Sequence, residues 1–219
     1  MYFYVPSYLE DDFDDSLSIN GKTCTLNYNA TTPTSIVVNI NTLDFKSNMK
    51  GMSDNTYAIQ ASKSSAIKKG DYLTDPDGKV YLISWTPAEE INCLTSQIQL
   101  CTNTFNFERF HGITYDSDGN SATPCGYDDV VTDIKGFAYR YGMGLYDSTD
   151  GQIGIPPTQK ICIGIQYNTD TSNIQISDEF SYNNKQYVIT DTDYTQMNAS
   201  GTDGILILYA QVLEGGRKC

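Results

Sequence analysis

Few residues in this 219-residue chain have the types and spacing that chemistry requires. Asp116-Ser-Asp-Gly-Asn120 resembles the opening of a calcium loop. Such a loop needs glycine at its sixth position and a bidentate glutamate at its twelfth. Counted from Asp116, Gly119 falls fourth and Tyr127 stands twelfth, where a phenol cannot replace a carboxylate. The segment reads as a polar hairpin tip. Asp178 and Glu179 are the nominable carboxylate pair for glycoside hydrolysis, which needs two carboxylates facing each other. With 27 acidic residues some pair can always be named, and nothing in the surroundings separates an acid from a base. His111 is the one histidine and follows a run of aromatics, Phe105-Asn-Phe-Glu-Arg-Phe110. A single histidine excludes a His-rich zinc site and leaves only one base for Ser/His or Cys/His designs. It reads as a packed or surface side chain.

The six cysteines, at 24, 93, 101, 125, 162 and 219, contain no Cys-x-x-Cys pair, so a zinc ribbon and a thioredoxin-type motif are excluded. Cys93 and Cys101 are expected across a strand pair, with no adjacent cation to lower a thiol pKa. Cys162 is expected in the core and Cys219 at an exposed end. No disulfide framework is expected, because a chain of this length buries a core without staples. Phosphate-binding, dinucleotide-binding and nucleophile-elbow patterns are absent. No catalytic residue, cofactor or metal is therefore expected. Trp85 and the 17 tyrosines would suit a sugar-stacking platform, but aromatics on strands usually form core and cross-strand pairs. Two glycosylation sequons, at Asn29 and Asn198, matter only in a secretory pathway.

The formal net charge is −13. This argues against general nucleic-acid binding, which needs clustered cations against phosphates, and disfavours a polybasic membrane contact. Charged residues are 19% and aromatics 12%, the reverse of a disordered chain, so a folded core is expected. The longest apolar run, Ile205-Leu-Ile-Leu-Tyr-Ala210, has strand length, short of the ~20 residues of a membrane helix. The N-terminal residues lack a signal-peptide pattern, and a soluble, cytosolically made chain is expected.

The elements that must position these residues are strands. Short runs rich in Ile, Val, Tyr and Thr recur between turn residues, the pattern of an all-β protein. Strands are expected at 35–45, 56–62, 79–85, 97–102, 130–141, 160–167, 174–177, 186–191 and 204–213. Asp75-Pro-Asp-Gly78 and Tyr182-Asn-Asn184 are expected turns. The segment Ile67-Lys-Lys-Gly-Asp-Tyr-Leu73, a turn and Val80-Tyr-Leu-Ile83 lies over Ile174-Gln-Ile-Ser-Asp-Glu-Phe180, a turn and Gln186-Tyr-Val-Ile189. This is either a duplicated module or the shared grammar of any two hairpins. The expected fold is all-β, with two small barrel- or sandwich-like lobes, a possible duplication, and long loops. The expected divisions are an N-terminal arm at 1–20 around the acidic run Glu10–Asp15, a lobe at 21–110, a loop-rich connection at 111–159 and a second lobe at 160–219. Gly151-Gln-Ile-Gly-Ile-Pro-Pro157 reads as an extended loop.

The stretch from Ile67 to Trp85, with Gln97-Ile-Gln-Leu-Cys-Thr102, resembles small β-rich virion proteins of tailed phages of Gram-positive hosts, of the head-closure or neck-connector type. There a Lys-x-Gly-Asp strand leads through a turn to x-Tyr-Leu-Ile, and a later strand carries a Gln-Leu-Cys-Asn-like run; Thr102 replaces that Asn here. Residues 173–213 are similar to the second lobe of the same proteins. The resemblance implies a structural, non-enzymatic role in the virion, assembled in the host cytoplasm. It implies a ring of identical copies joining portal or adaptor to tail-terminator proteins and retaining packaged DNA, with no membrane partner. A negative lumen would let DNA slide, loops near 103–120 or 142–159 would reach neighbours or the channel, and the 1–20 arm would drape over the next subunit. Tail-completion, distal-tail or head-decoration roles are alternatives, as are a secreted carbohydrate-binding adhesin and a glycosidase.

Overall fold

The computed structural model describes residues 8–27, 29–42, 55–140, 160–199 and 201–213. The expected loop at 142–159, with Gly151–Pro157 in it, Cys219, residues 1–7 and the end of the 35–45 strand lie outside the described residues. Among the described residues one α-helix, α1 (Tyr8–Asn20), precedes fifteen strands: β1 (Lys22–Leu26), β2 (Thr34–Thr42), β3 (Thr56–Ala61), β4 (Tyr72–Thr74), β5 (Val80–Ile83), β6 (Ala88–Glu89), β7 (Leu94–Leu100), β8 (Asn103–His111), β9 (Thr114–Tyr115), β10 (Ser121–Thr123), β11 (Gly126–Arg140), β12 (Lys160–Tyr167), β13 (Glu179–Tyr182), β14 (Lys185–Asp193) and β15 (Gly204–Val212).

These strands make two closed six-stranded barrels. In the first the ring runs β1-β2-β3-β7-β5-β4, with β6 appended to β7. In the second it runs β8-β11-β12-β15-β14-β13. Closure leaves no open sheet edge in either ring. Apolar residues alternate inward along each strand and fill both interiors, as expected of small barrels. Val38, Ile59, Leu73, Ile83 and Ile98 centre the first; Phe105, Phe107, Ile163, Phe180 and Leu208 centre the second.

The two rings have the same order and the same register. Leu73 pairs with Tyr81, and Phe180 with Tyr187. Leu82 pairs with Gln99, and Val188 with Gln211. The match continues through Thr56–Gln99 and Lys160–Gln211, Ile40–Ile59 and Ala138–Ile163, and Lys22–Val38 and Asn103–Gly136. It closes at Leu26–Leu73 and at Glu108–Glu179, one residue beyond the Phe107–Phe180 contact. A shared hairpin grammar would not hold register through a complete ring, because a one-residue slip reverses every side chain. The barrels are a duplicated module.

The duplication moves the expected divisions. Residues 103–110, expected at the end of the first lobe, belong to a stave of the second barrel, and so do His111 and residues 126–140, expected in a loop-rich connection. The alternation of Phe105 and Phe107 into the second core is the physical reason. The 174–177 segment is not a strand: it follows a 3-10 turn at Thr171–Asn173 and bends through Ser177, whose φ is 79°. The turns at Asp75–Gly78 and Asn183–Asn184 are as expected, the latter with φ of 47° and 59°, suited to a two-residue hairpin. Residues 8–20 of the expected arm are helical, with Leu17 buried and Asp11, Asp12, Asp14 and Asp15 exposed. Cys125 is disulfide-bonded, against the expectation for the cysteines, while Cys24, Cys93, Cys101 and Cys162 are free.

Candidate functional site

The polar side chains that do structural work fall into three places: the joint between the barrels, a hairpin arm on the second, and the turn into β13 that carries Asp178 and Glu179. At the joint, Tyr72 and Leu82 point outward from β4 and β5 and pack on Ile205, with Phe137 and Ile207 alongside. Gln166, at the end of β12 and 8% exposed, clamps this contact. Its Nε2 donates to Asn27 Oδ1 (3.0 Å) and to the Gly70 carbonyl (2.9 Å). Its Oε1 accepts from Asn29 Nδ2 (2.8 Å) and Asn168 Nδ2 (3.2 Å). Both ends of the amide are thus fully used. The Tyr72 hydroxyl donates to the Lys135 carbonyl.

On the other side of the joint, Asn198 Nδ2 donates to Asp203 Oδ1 (2.7 Å) and to the Lys69 carbonyl (3.3 Å). Both sequon asparagines therefore hold barrel to barrel. The backbones meet closely here. A Cβ on Gly70 would lie 2.1 Å from the Gly204 carbonyl oxygen, and Gly70 has φ +91°. Only glycine fits on both counts.

The arm is the continuation of β8 and β11 beyond the barrel through β9 and β10. Its tip is Asp116–Asn120. Asp116 Oδ1 accepts the backbone N–H groups of Asn120 (2.8 Å) and Asp118 (2.9 Å), which hold its carboxyl below the usual carboxylate range. The carboxylate is spent on the turn, and Tyr127 sits away from it with its hydroxyl on Glu179 (3.4 Å). Phe110, Ile113 and Tyr115 stand exposed along the arm, Phe110 against the ring of Tyr127 at 5.5 Å. His111 lies 3.8 Å from Asp128. Among the described residues no three His, Cys, Asp or Glu side chains converge as metal ligands.

Asp178 and Glu179 do not form a facing pair. Asp178 is 1% exposed and takes a bidentate contact from Arg109 (2.7 and 2.9 Å), with the Gln175 N–H on Oδ2. Glu179, next along the chain, pairs in register with Glu108 and accepts from Tyr127 and Gln186; burial pushes its carboxyl up. Cys93 and Cys101 do not sit across a strand pair. They flank one strand, β7, and are roughly 26 Å apart at ~3.3 Å per residue. Burial pushes both thiols up, Cys101 to about 12, so neither is poised as a nucleophile. Trp85 is exposed, but Tyr57 and Tyr81 meet edge-to-face, Tyr81 in the first core and Tyr57 packed against it, rather than beside it as a platform. No helix among the described residues is long and apolar enough to cross a membrane.

Sequence reasoning missed Gln166 and Tyr72. The available signal was a polar residue ending the otherwise apolar Ile161–Ile165 alternation, and a bulky tyrosine beside Asp71 where the second repeat has a glutamate. No curated protein matches the chain. Residues 112–211, which carry the arm and every stave of the second barrel except β8, match the family model of the YomX C-terminal domain, a phage-associated family, and this part of the chain is similar to that domain.

Proposed function

We propose that the chain is a structural protein of a tailed-phage virion, a neck or head-closure component that joins portal to tail as a ring of identical copies and performs no chemistry. The observation that carries the reading is how the polar groups are spent. Asp178, Asp116, Asn27, Asn29, Gln166 and Asn198 each hold a turn or the joint. The phage-associated match over residues 112–211 supports a place in the phage. Rigid, filled barrels suit a load-bearing spacer, and the exposed acidic groups of α1 and the arm suit a surface near DNA phosphates. Copies would meet head-to-tail, the geometry that closes into rings.

Mass spectrometry of purified virions, with electron microscopy of their necks, tests this. The expected result is the chain in the particle and a ring of its density between portal and tail. Density on the capsid surface or at the tail tip would move it to a decoration or distal-tail role, and absence from particles would overturn the reading.

A further inference from the structure

The duplication makes the internal joint informative about the two faces it leaves over. In the joint, the β4–β5 face of barrel 1 sits on the β11–β12–β15 face of barrel 2. The contact is heterologous, one face on a different face. Each chain therefore carries a second copy of each: the β13–β14 face of barrel 2, where Glu179 is 7% exposed and already covered by Tyr127 and Gln186 while Ser181 and Thr190 stand exposed, and the β2–β3–β7 face of barrel 1. Carrying the shared register across, Glu179 stands in barrel 2 where Tyr72 stands in barrel 1, and Val188 where Leu82 stands. Val37 and Ser62 of barrel 1 stand where Lys135 and Gln166 stand in barrel 2.

Those last two positions are the ones α1 occupies. Asp14 Oδ2 accepts from Ser62 Oγ (3.1 Å), as Asn27 and Asn29 engage Gln166 at the joint. Leu17 is buried beside Val37, and a Cβ on Gly21 would lie 2.6 Å from Val37 Cγ1 and 3.3 Å from Leu17 Cδ1. The helix thus covers on barrel 1 the station that barrel 1 covers on barrel 2. It does so through Leu17 and one exposed hydrogen bond, while the other helix residues with described side chains are exposed except half-buried Phe13. A groove of about 490 Å³ runs along this seat, lined by Leu17, Ile36, Val37, Ser62 and Ser64.

The loop that bridges the barrels at the joint is the β1–β2 connection, through Asn27 and Asn29. Its counterpart in the second repeat is the β8–β11 connection, which is enlarged into the arm bearing exposed Phe110, Ile113 and Tyr115. Three large apolar side chains lie exposed within six residues of a hairpin that extends past the barrel, the position from which the β1–β2 loop bridges the internal joint.

We propose that the chain associates head-to-tail through a repeat of its own joint: the β13 face and hairpin arm of one copy dock on the barrel 1 face that α1 covers in the isolated chain. The occupant is a second copy, argued from continuity with the internal joint, and α1 is its displaceable stand-in. The free faces are more polar than the joint, with Asn39, Gln60 and Thr95 opposite the role of Phe137, Gly164 and Ile207. A surface exposed before assembly has to be, whereas the joint is never exposed. The inference deepens the ring reading above and rests on it for its biological use.

Full-length Leu17→Asp, which unseats the helix, tests it in analytical ultracentrifugation beside wild type. The expected result is self-association tightened by about tenfold or more, and its loss when Ile113→Asp and Tyr115→Asp are added. Asp14→Ala, which removes only an exposed hydrogen bond, should move association the same way and serves if Leu17→Asp fails to fold. Association unchanged by either helix variant, or association that survives the arm substitutions, overturns the proposal. Detection of the chain in virions is independent of these outcomes, so either reading can fail alone.

Discussion

Asp71 and Asp178, 107 positions apart in the chain, hold the same turn in the two barrels. Each carboxylate accepts the backbone N–H three residues before it, from Lys68 and from Gln175, at 2.7 Å. Each carbonyl accepts from the strand that follows, from Ile83 N–H and Ile189 N–H at 2.9 Å. The residue before each aspartate has positive φ, Gly70 at +91° and Ser177 at 79°. What differs is the second partner: Asn27 for Asp71, Arg109 for Asp178.

That difference sets a stability prediction. Arg109→Ala leaves a carboxylate that is 1% exposed with backbone partners alone. Since the guanidinium is itself partly exposed, the cost is about 2–3 kcal/mol, below that of a fully buried pair. Urea unfolding should show a lower midpoint with an unchanged slope.

The two positive-φ residues should respond in opposite directions. Ser177→Gly relieves a left-handed backbone and is expected to stabilise by up to about 1 kcal/mol. Gly70→Ala adds a methyl group against the Gly204 backbone and should cost about 3 kcal/mol or more. Thermal melts of both variants check this, and limited proteolysis should cut between the barrels of Gly70→Ala first.

Glu179 lies opposite Glu108, and burial raises its carboxyl pKa. The fold therefore binds a proton here more readily than the unfolded chain, so this group's contribution is favourable at low pH and is lost as pH rises through the folded value. Glu179→Gln should be stabilising at pH 7, because it replaces a buried carboxylate with a neutral amide. The gain should shrink toward pH 4, where wild-type Glu179 is itself protonated. An equal gain at both pH values would contradict this.

At the alkaline end, burial raises Cys24 to about 11 and Cys101 and Tyr81 to about 12. Unfolded, the same groups ionise near 9.0 and 10.0. Folded chains keep protons that unfolded chains release, so stability is present below pH 9 and falls as pH rises toward 11–12. Melting temperatures measured from pH 8 to 11 should decline over that interval, and Cys101 should resist thiol reagents at pH 8.

Much of the architecture was legible from local pattern. Lys160–Tyr167 shows the alternation of a stave with isoleucines inward, and Asp75–Gly78 shows its turn in residue types alone. The similarity of Ile67–Ile83 to Ile174–Ile189 was visible as a possible repeat. Strand β1 and strand β8 were not found, because Lys-Thr-Cys-Thr-Leu is weakly apolar and the Phe105–Phe110 aromatics read equally well as a cluster around His111. α1 was hidden by its composition: one buried leucine among aspartates carries no helical stripe.

The sequence by itself determined that the chain folds as β and that its core is apolar, since these depend on composition and on a two-residue period. Tertiary structure alone decided that two rings close in the same register, that Gln166, Asn29 and Asn198 serve the joint, and that Asp178 and Glu179 point to different partners. Ring closure and face-to-face packing join residues a hundred positions apart, and no local period records which strand a stave will meet.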